Sequence, residues 1–149
     1  MAIAEGFKNI RSGEGGPFGA VIVRDGEVIA CARNKVLLMR DPTMHAEMIA
    51  IRQACEALGR FDLSDCEIYA TCQPCPMCIG AIFWARISKL YYGALDSDAD
   101  AIGFSDKFIY DAILADFQKQ DALTIANVDR EACLELFRAW ENKHDKEMY

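Results

Sequence analysis

His45-Ala46-Glu47 and, further along, Pro74-Cys75-Pro76-Met77-Cys78 are the two stretches around which this chain is organised. One neutral imidazole and two thiolates fill three corners of a tetrahedral zinc site. The fourth corner stays open for water, as in catalytic sites, whereas structural sites close all four. Glu47 is left over, a carboxylate that can move protons beside such a metal. The interval between His45 and Cys75 can hold a helix and a strand, so the two halves meet only if the chain folds back on itself.

Both halves fall at expected helix starts. Asp41-Pro42-Thr43 opens one helix, with Thr43 as N-cap and Glu47 near the first turn. Ile49, Ile51, Ala54, Cys55 and Leu58 give it an apolar side, and Gly59 ends it. Pro76 suits the first turn of the next helix, which runs to about Arg86. Helix N-termini carry partial positive charge and unpaired N–H groups, which favour the thiolates that zinc needs. Cys75 and Cys78 are one turn apart and share a side. His45 and Glu47 are two apart and do not share a face, which suits different roles. Two thiolates cancel the charge of Zn²⁺.

Working outward, residues 2–11 form a short helix, ended by the glycine-rich Ser12-Gly13-Glu14-Gly15-Gly16-Pro17. Phe18–Arg24 is a buried strand, Asp25-Gly26 a hairpin turn, and Glu27–Ala32 its antiparallel partner. Cys66–Thr71 and Ser88–Gly93 read as further strands. The C-terminal third carries a helix near Asp106–Leu114, a short strand near Leu123–Ala126 and a last helix from Arg130 to about Lys143. A βαβαβ order after a hairpin implies an α/β sheet with helices on both faces.

Composition narrows the classes. The 149 residues, 52% of them hydrophobic, suit one domain. No apolar run is long enough for a membrane span, and Met1-Ala2-Ile3-Ala4-Glu5 does not open like a secretory signal. Seven scattered cysteines make a poor disulfide framework, so a cytoplasmic protein is expected. Cys31, Cys55 and Cys133 then read as core residues. A net charge of −7 and the lack of a Lys/Arg cluster oppose a nucleic-acid backbone footprint. A small neutral or cationic substrate suits the chain better.

Other readings stay open. Cys-x-x-Cys also occurs as a redox pair, but that leaves His-Ala-Glu without a purpose. Cys72 could close the tetrahedron and make the zinc purely structural. His144, in a charged tail, reads as solvated. Trp84 lies on an apolar helix and reads as core.

With these residues in place, the chain resembles the zinc-dependent cytidine/deoxycytidylate deaminase superfamily, whose signature is His-x-Glu followed by Pro-Cys-x-x-Cys. Within it the chain is most similar to bacterial-type guanine deaminases. The shared stretches are Gly15-Gly16-Pro17-Phe18-Gly19-Ala20-Val21, Asp41-Pro42-Thr43, Cys72-Gln73-Pro74-Cys75-Pro76-Met77-Cys78, Gly80-Ala81-Ile82-Phe83-Trp84-Ala85-Arg86, Ile102-Gly103-Phe104-Ser105-Asp106 and a terminal Tyr149. The resemblance implies a three-layer α/β/α fold with a mixed sheet of about five strands. It implies zinc on His45, Cys75 and Cys78, and Glu47 as proton shuttle. Asn34 would hold the base through its amide, Phe18 would line the pocket, Asp106 would be an acidic substrate contact, and Tyr149 would close the site. A single domain over 1–149, a homodimer, and exchange of roughly the last 40 residues between subunits are also implied.

The implied reaction is hydrolytic deamination of a purine base, guanine to xanthine and ammonia. Guanosine, or adenosine or cytosine in tRNA, are alternative substrates, and a non-catalytic zinc module is the reading from a different class. Gln73 and Ser105 depart from the family pattern, which commonly has acids there. The first helix is about two turns short.

Overall fold

A computed structural model describes residues 1–117 and 123–147 of the chain. Its sheet begins with β1 (Gly19–Arg24) and β2 (Glu27–Arg33), joined at Asp25-Gly26. Those two residues take φ of 52° and 80°. Two left-handed residues in a row match the twist of a tight hairpin, and Asp-Gly tolerates them at low cost. β3 (Glu67–Cys72) pairs antiparallel with β1, and β4 (Lys89–Ala94) pairs parallel with β3. The strand order is β2-β1-β3-β4.

Helices cover both faces. Strand residues alternate, so Gly19 and Ala20 face opposite ways. On the Gly19 side lies α1 (Ala2–Ser12): a Cβ at Gly19 would sit 2.1 Å from the Ala2 carbonyl oxygen. Only glycine lets that helix approach so closely. On the Ala20 side, Ala20 and Ile22 pack with Ala46, Ile49 and Ala50 of α3 (Ala46–Leu58). Ile82 of α4 (Pro76–Trp84) joins the same cluster. Small residues on both sides of this contact keep the helix close to the sheet.

Register decides where the connections emerge. Gly19 pairs with Arg33, Ala20 with Ala70, and Cys72 with Ala94. The start of β1 and the ends of β2, β3 and β4 therefore lie at one edge of the sheet. Phe18, Asn34, the Cys72–Cys78 segment and the connection after β4 all leave from that edge.

Several expectations change. The sheet has four strands among the described residues rather than about five. The fifth was placed at Leu123–Ala126, and residues 123–129 carry no regular element. A four-residue apolar run is a weak signal, and it makes a strand only when a ladder partner is available. Thr43 is not the N-cap of α3; His45 is. Asp41 Oδ1 instead accepts from the Thr43 N–H at 2.8 Å and from its hydroxyl at 2.7 Å, closing a turn before the helix. Two short helices, α2 (Val36–Met39) and α5 (Asp96–Ala101), stand where the sequence reading assigns no element. Trp84 is 68% exposed. α4 is apolar nearly all round, and periodicity does not tell which part of such a helix is covered. Cys133 is exposed, and Cys31 and Cys55 are half-buried.

The chain divides into two compact units, Met1–Phe108 and Ile109–Tyr149. The first holds the sheet and α1–α5. α6 (Lys107–Leu114) spans the division, and the second unit contains α7 (Arg130–Glu141). No described helix is long and apolar enough to cross a membrane.

Candidate metal centre and its surroundings

Two helix starts build the centre. His45 and Cys75 are the N-cap residues of α3 and α4, each with extended backbone (ψ 156° and 168°). An N-cap side chain projects past the end of its helix, beside the unpaired N–H groups. Pro76 at the first turn of α4 gives up only a donor that would have been unpaired. One turn on, Cys78 reaches the same place and is fully buried.

His45 Nδ1 lies 3.6 Å from the Sγ of Cys75 and 3.6 Å from that of Cys78. Zinc–sulfur and zinc–nitrogen bonds of about 2.3 and 2.05 Å at a tetrahedral angle span an N···S edge of about 3.6 Å. The donors therefore already stand at the separations a tetrahedral zinc requires. Among the described residues, His45, Cys75 and Cys78 form the one cluster of His, Cys and carboxylate groups able to hold a metal.

The electrostatics point the same way. A hydrogen bond from Cys78, then one from His45, holds the pKa of the Cys75 thiol well below its ordinary value. The hydrogen bond with Cys75, together with burial, pushes the Cys78 thiol well up. One thiolate thus forms readily, and the second needs positive charge beside it. A divalent cation supplies that charge.

Cys72 is not turned toward this cluster. Its thiol donates to the Leu95 carbonyl at 3.3 Å, and burial raises its pKa. The four-ligand, structural reading of the zinc loses its fourth sulfur. The Cys72→Ala protein is expected to bind as much zinc as wild type, measured by atomic absorption after gel filtration. A drop in zinc content would restore Cys72 as a ligand.

Glu47, in the first turn of α3, is 6% exposed. Its Oε2 lies 3.5 Å from Cys78 Sγ. Burial raises its pKa. A buried carboxyl of this kind holds and releases a proton closer to neutrality than a solvated one.

The remaining positions read from sequence fall as follows. Asp106 is half-buried and electrostatically coupled to Cys75 and His45; burial, then the Cys75 charge, raises its pKa. Asn34 is buried at the end of β2. Its N–H bonds to the Phe18 carbonyl at 3.0 Å, and its Oδ1 accepts the Val36 N–H at 3.1 Å. The next residue, Lys35, donates to the carbonyl of Met44, the neighbour of His45. Asn34 is thus fastened to the strand beside the centre. It is a turn residue, and it keeps its amide NH₂ free of protein partners among the described residues.

Phe18 is half-buried, meets Phe104 edge-on at 5.1 Å, and lines a cavity of about 180 Å³ with Thr71, Cys72 and Ile102 among others. Tyr149 lies outside the described residues. Phe104 stands in the family-shared stretch 102–106, but the sequence assigns it no role of its own, since one phenylalanine in a loop has no periodic context. Gly16 was the available signal: a Cβ there would sit 2.8 Å from Phe18 and 3.1 Å from Phe104.

Residues 1–94 match the cytidine and deoxycytidylate deaminase zinc-binding region. The chain belongs to that deaminase family. It is 44% identical to guanine deaminase of Bacillus subtilis over 99% of its own length and 94% of that protein's. It matches the X-ray structure of that guanine deaminase with a TM-score of 0.92 over the same shares of the two chains. It is also 48% identical to the tRNA-specific adenosine deaminase of Agrobacterium fabrum, over 62% of this chain and 60% of that one. A solved structure described as guanine deaminase from Nitrosomonas europaea matches with a TM-score of 0.65, 32% identity, and coverage of 70% of this chain and 61% of that chain. The four-stranded mixed sheet is that of this deaminase family, and the enzyme is a zinc-dependent aminohydrolase.

Proposed function

We propose that this deaminase converts guanine to xanthine and ammonia, with zinc on His45, Cys75 and Cys78, and Glu47 as the proton shuttle. The observation that carries the reading is the open, three-donor centre with a buried, otherwise uncommitted carboxyl beside it. Zinc bound there would supply Lewis-acid activation of water near neutral pH. Glu47 takes the proton from that water as its oxygen adds to the guanine C2. Glu47 then delivers that proton to a ring nitrogen and carries the proton of the newly formed C2 hydroxyl to the exocyclic amine. The C2–N bond breaks, ammonia leaves, and a carbonyl remains.

Two supports favour a purine base. The similarity to guanine deaminase runs over nearly the whole chain, whereas that to the tRNA-specific enzyme stops at about two thirds of it. The net charge of −7 also disfavours a polyanion. Asn34 holds the base edge through its amide, Phe18 lies against the ring, and Asp106 is an acidic contact at the same sheet edge.

The decisive experiment is a substrate panel. Zinc-loaded protein is incubated with guanine, guanosine, adenine, cytosine and a tRNA anticodon stem, and ammonia is measured. Release from guanine alone is expected. Preference for guanosine would mean that the site admits a ribose, and turnover of the tRNA stem would overturn the base as substrate. Asn34→Ala is expected to raise KM for guanine by about 10²-fold, the loss of two buried hydrogen bonds, without releasing zinc. Metal loss in that variant would remove the purely substrate-binding role.

The chain works as one deaminase domain in a cytoplasmic homodimer, with roughly the last 40 residues exchanged between subunits. Phe83 and Trp84, 76% and 68% exposed at the C-terminal end of α4, are apolar surface suited to such a contact. Sedimentation at micromolar concentration tests the dimer.

A further inference from the structure

Asn9, in α1, was no part of the sequence reading, and it is 1% exposed. Its amide nitrogen donates to the Gly16 carbonyl at 2.8 Å and to the Asn34 carbonyl at 2.6 Å. Both amide protons are thereby used. The amide oxygen is buried without a partner among the described residues. The amide cannot be turned over to satisfy that oxygen, because it would then face two carbonyl oxygens. A buried acceptor left unpaired costs stability, so this arrangement favours the two carbonyls over the side chain's own satisfaction.

Those carbonyls belong to the segments that flank the site. Gly16 lies in the glycine-rich loop that leads to Phe18. At Gly15, a Cβ would fall 2.1 Å from Asn34 Oδ1, so the loop runs directly over the Asn34 side chain. Among the described residues, Asn9 is the partner of the Asn34 carbonyl, as Phe18 is of its N–H and Val36 of its Oδ1. Remove the Asn9 donor, and the Asn34 main chain and the Gly15-Gly16 loop lose the clamp that joins them.

We infer that Asn9 is a positioning residue: from outside the site, it sets Asn34 and the Gly15-Gly16 loop at the spacing in which the Asn34 amide meets the base. This rests on the proposal that Asn34 holds the base, and it adds a residue to the specificity apparatus that touches neither metal nor substrate.

A double-mutant cycle between Asn9 and Asn34 tests it. Asn9→Leu keeps the branched shape and removes the donor; Asn9→Ser keeps one donor and serves if the leucine variant does not fold. Zinc content, kcat and KM for guanine are measured for each variant with Asn34 intact and with Asn34→Ala. The affinity for guanine is also read by calorimetry on the Glu47→Gln protein, which is expected to turn it over at least ~10²-fold more slowly. Should guanine not be turned over, the cycle is run on the base that is. Asn9→Leu is expected to raise KM about tenfold, with kcat changed less than about threefold and zinc retained, and Asn9→Ser less. In the Asn34→Ala background the same substitution is expected to leave KM and affinity where they are. An equal rise in both backgrounds would overturn the inference, since Asn9 would then act on the fold at large. An unchanged KM for the single Asn9 variants, with Asn34→Ala still impaired, would also overturn it. If Asn34→Ala itself leaves KM unchanged, the failure lies with Asn34 as the base-holding residue.

Discussion

The Glu47→Gln protein should bind zinc as wild type does, keep its fold, and lose at least ~10²-fold in kcat. Glutamine has the volume of glutamate, so no void or clash arises at a site that is 6% exposed. It carries no titratable proton, so only the shuttle is removed. The proposed role makes a sharper demand than loss of rate. The guanine affinity of the Glu47→Gln protein, read by calorimetry, should lie near the wild-type KM, because the substitution removes proton movement and leaves the base contacts in place. Full activity in Glu47→Gln would end the shuttle proposal, and loss of zinc would make Glu47 a metal-positioning residue instead.

Cys75→Ala should lose both zinc and activity. Groups that merely orient a metal ligand are worth about 10–100-fold, so removing a ligand outright should cost more than ~10²-fold in zinc affinity and activity. Binding energy is also folding energy where a metal binds only the folded chain. Wild-type protein should melt at higher temperature with zinc than with chelator, and Cys75→Ala should show no such difference. The thiols also set the pH response. Zinc displaces the proton of each ligand thiol, so metal affinity falls as pH falls. A Cys75→Ala protein that retains zinc at full stoichiometry would show that the metal sits elsewhere.

How much of this was legible in the sequence depended on whether a signal was local. Asp25-Gly26, Gly59 and Pro76 mark a hairpin, a helix end and a helix start through backbone preferences that need no partner, and each stands where it was placed. The continuous apolar run of β1 and the apolar side of α3 likewise show in the local sequence. Thr43 was misread because a threonine before a helix resembles a cap, whereas Asp41 had already engaged it in a turn. Trp84 was misread because a helix apolar nearly all round carries no directional information. Leu123–Ala126 was misread because β-branched residues suit a strand but do not provide its neighbour.

The donor set was similarly plain. His45, Glu47, Cys75 and Cys78 have few other reasons to occur at such spacing at helix starts. Asn9 was invisible: an asparagine in a helix has no signature for the two carbonyls it will find in the loop before β1 and at the end of β2. Those carbonyls are unspecific as sequence and become informative only once the chain has brought them within 2.8 Å of one amide.

The order of residues by itself determined the chemistry available to this protein: which side chains can take a metal, which carboxylate is spare, and which helices begin beside them. These follow from side-chain identity and from backbone preferences that act over a few residues. Tertiary structure alone decided that the thiol of Cys72 turns to Leu95 and leaves three ligands, that four strand ends share one edge, and that a buried amide in α1 reaches Asn34. Each of these depends on register and packing between segments far apart in the chain, where a one-residue slip in a strand reverses every side chain.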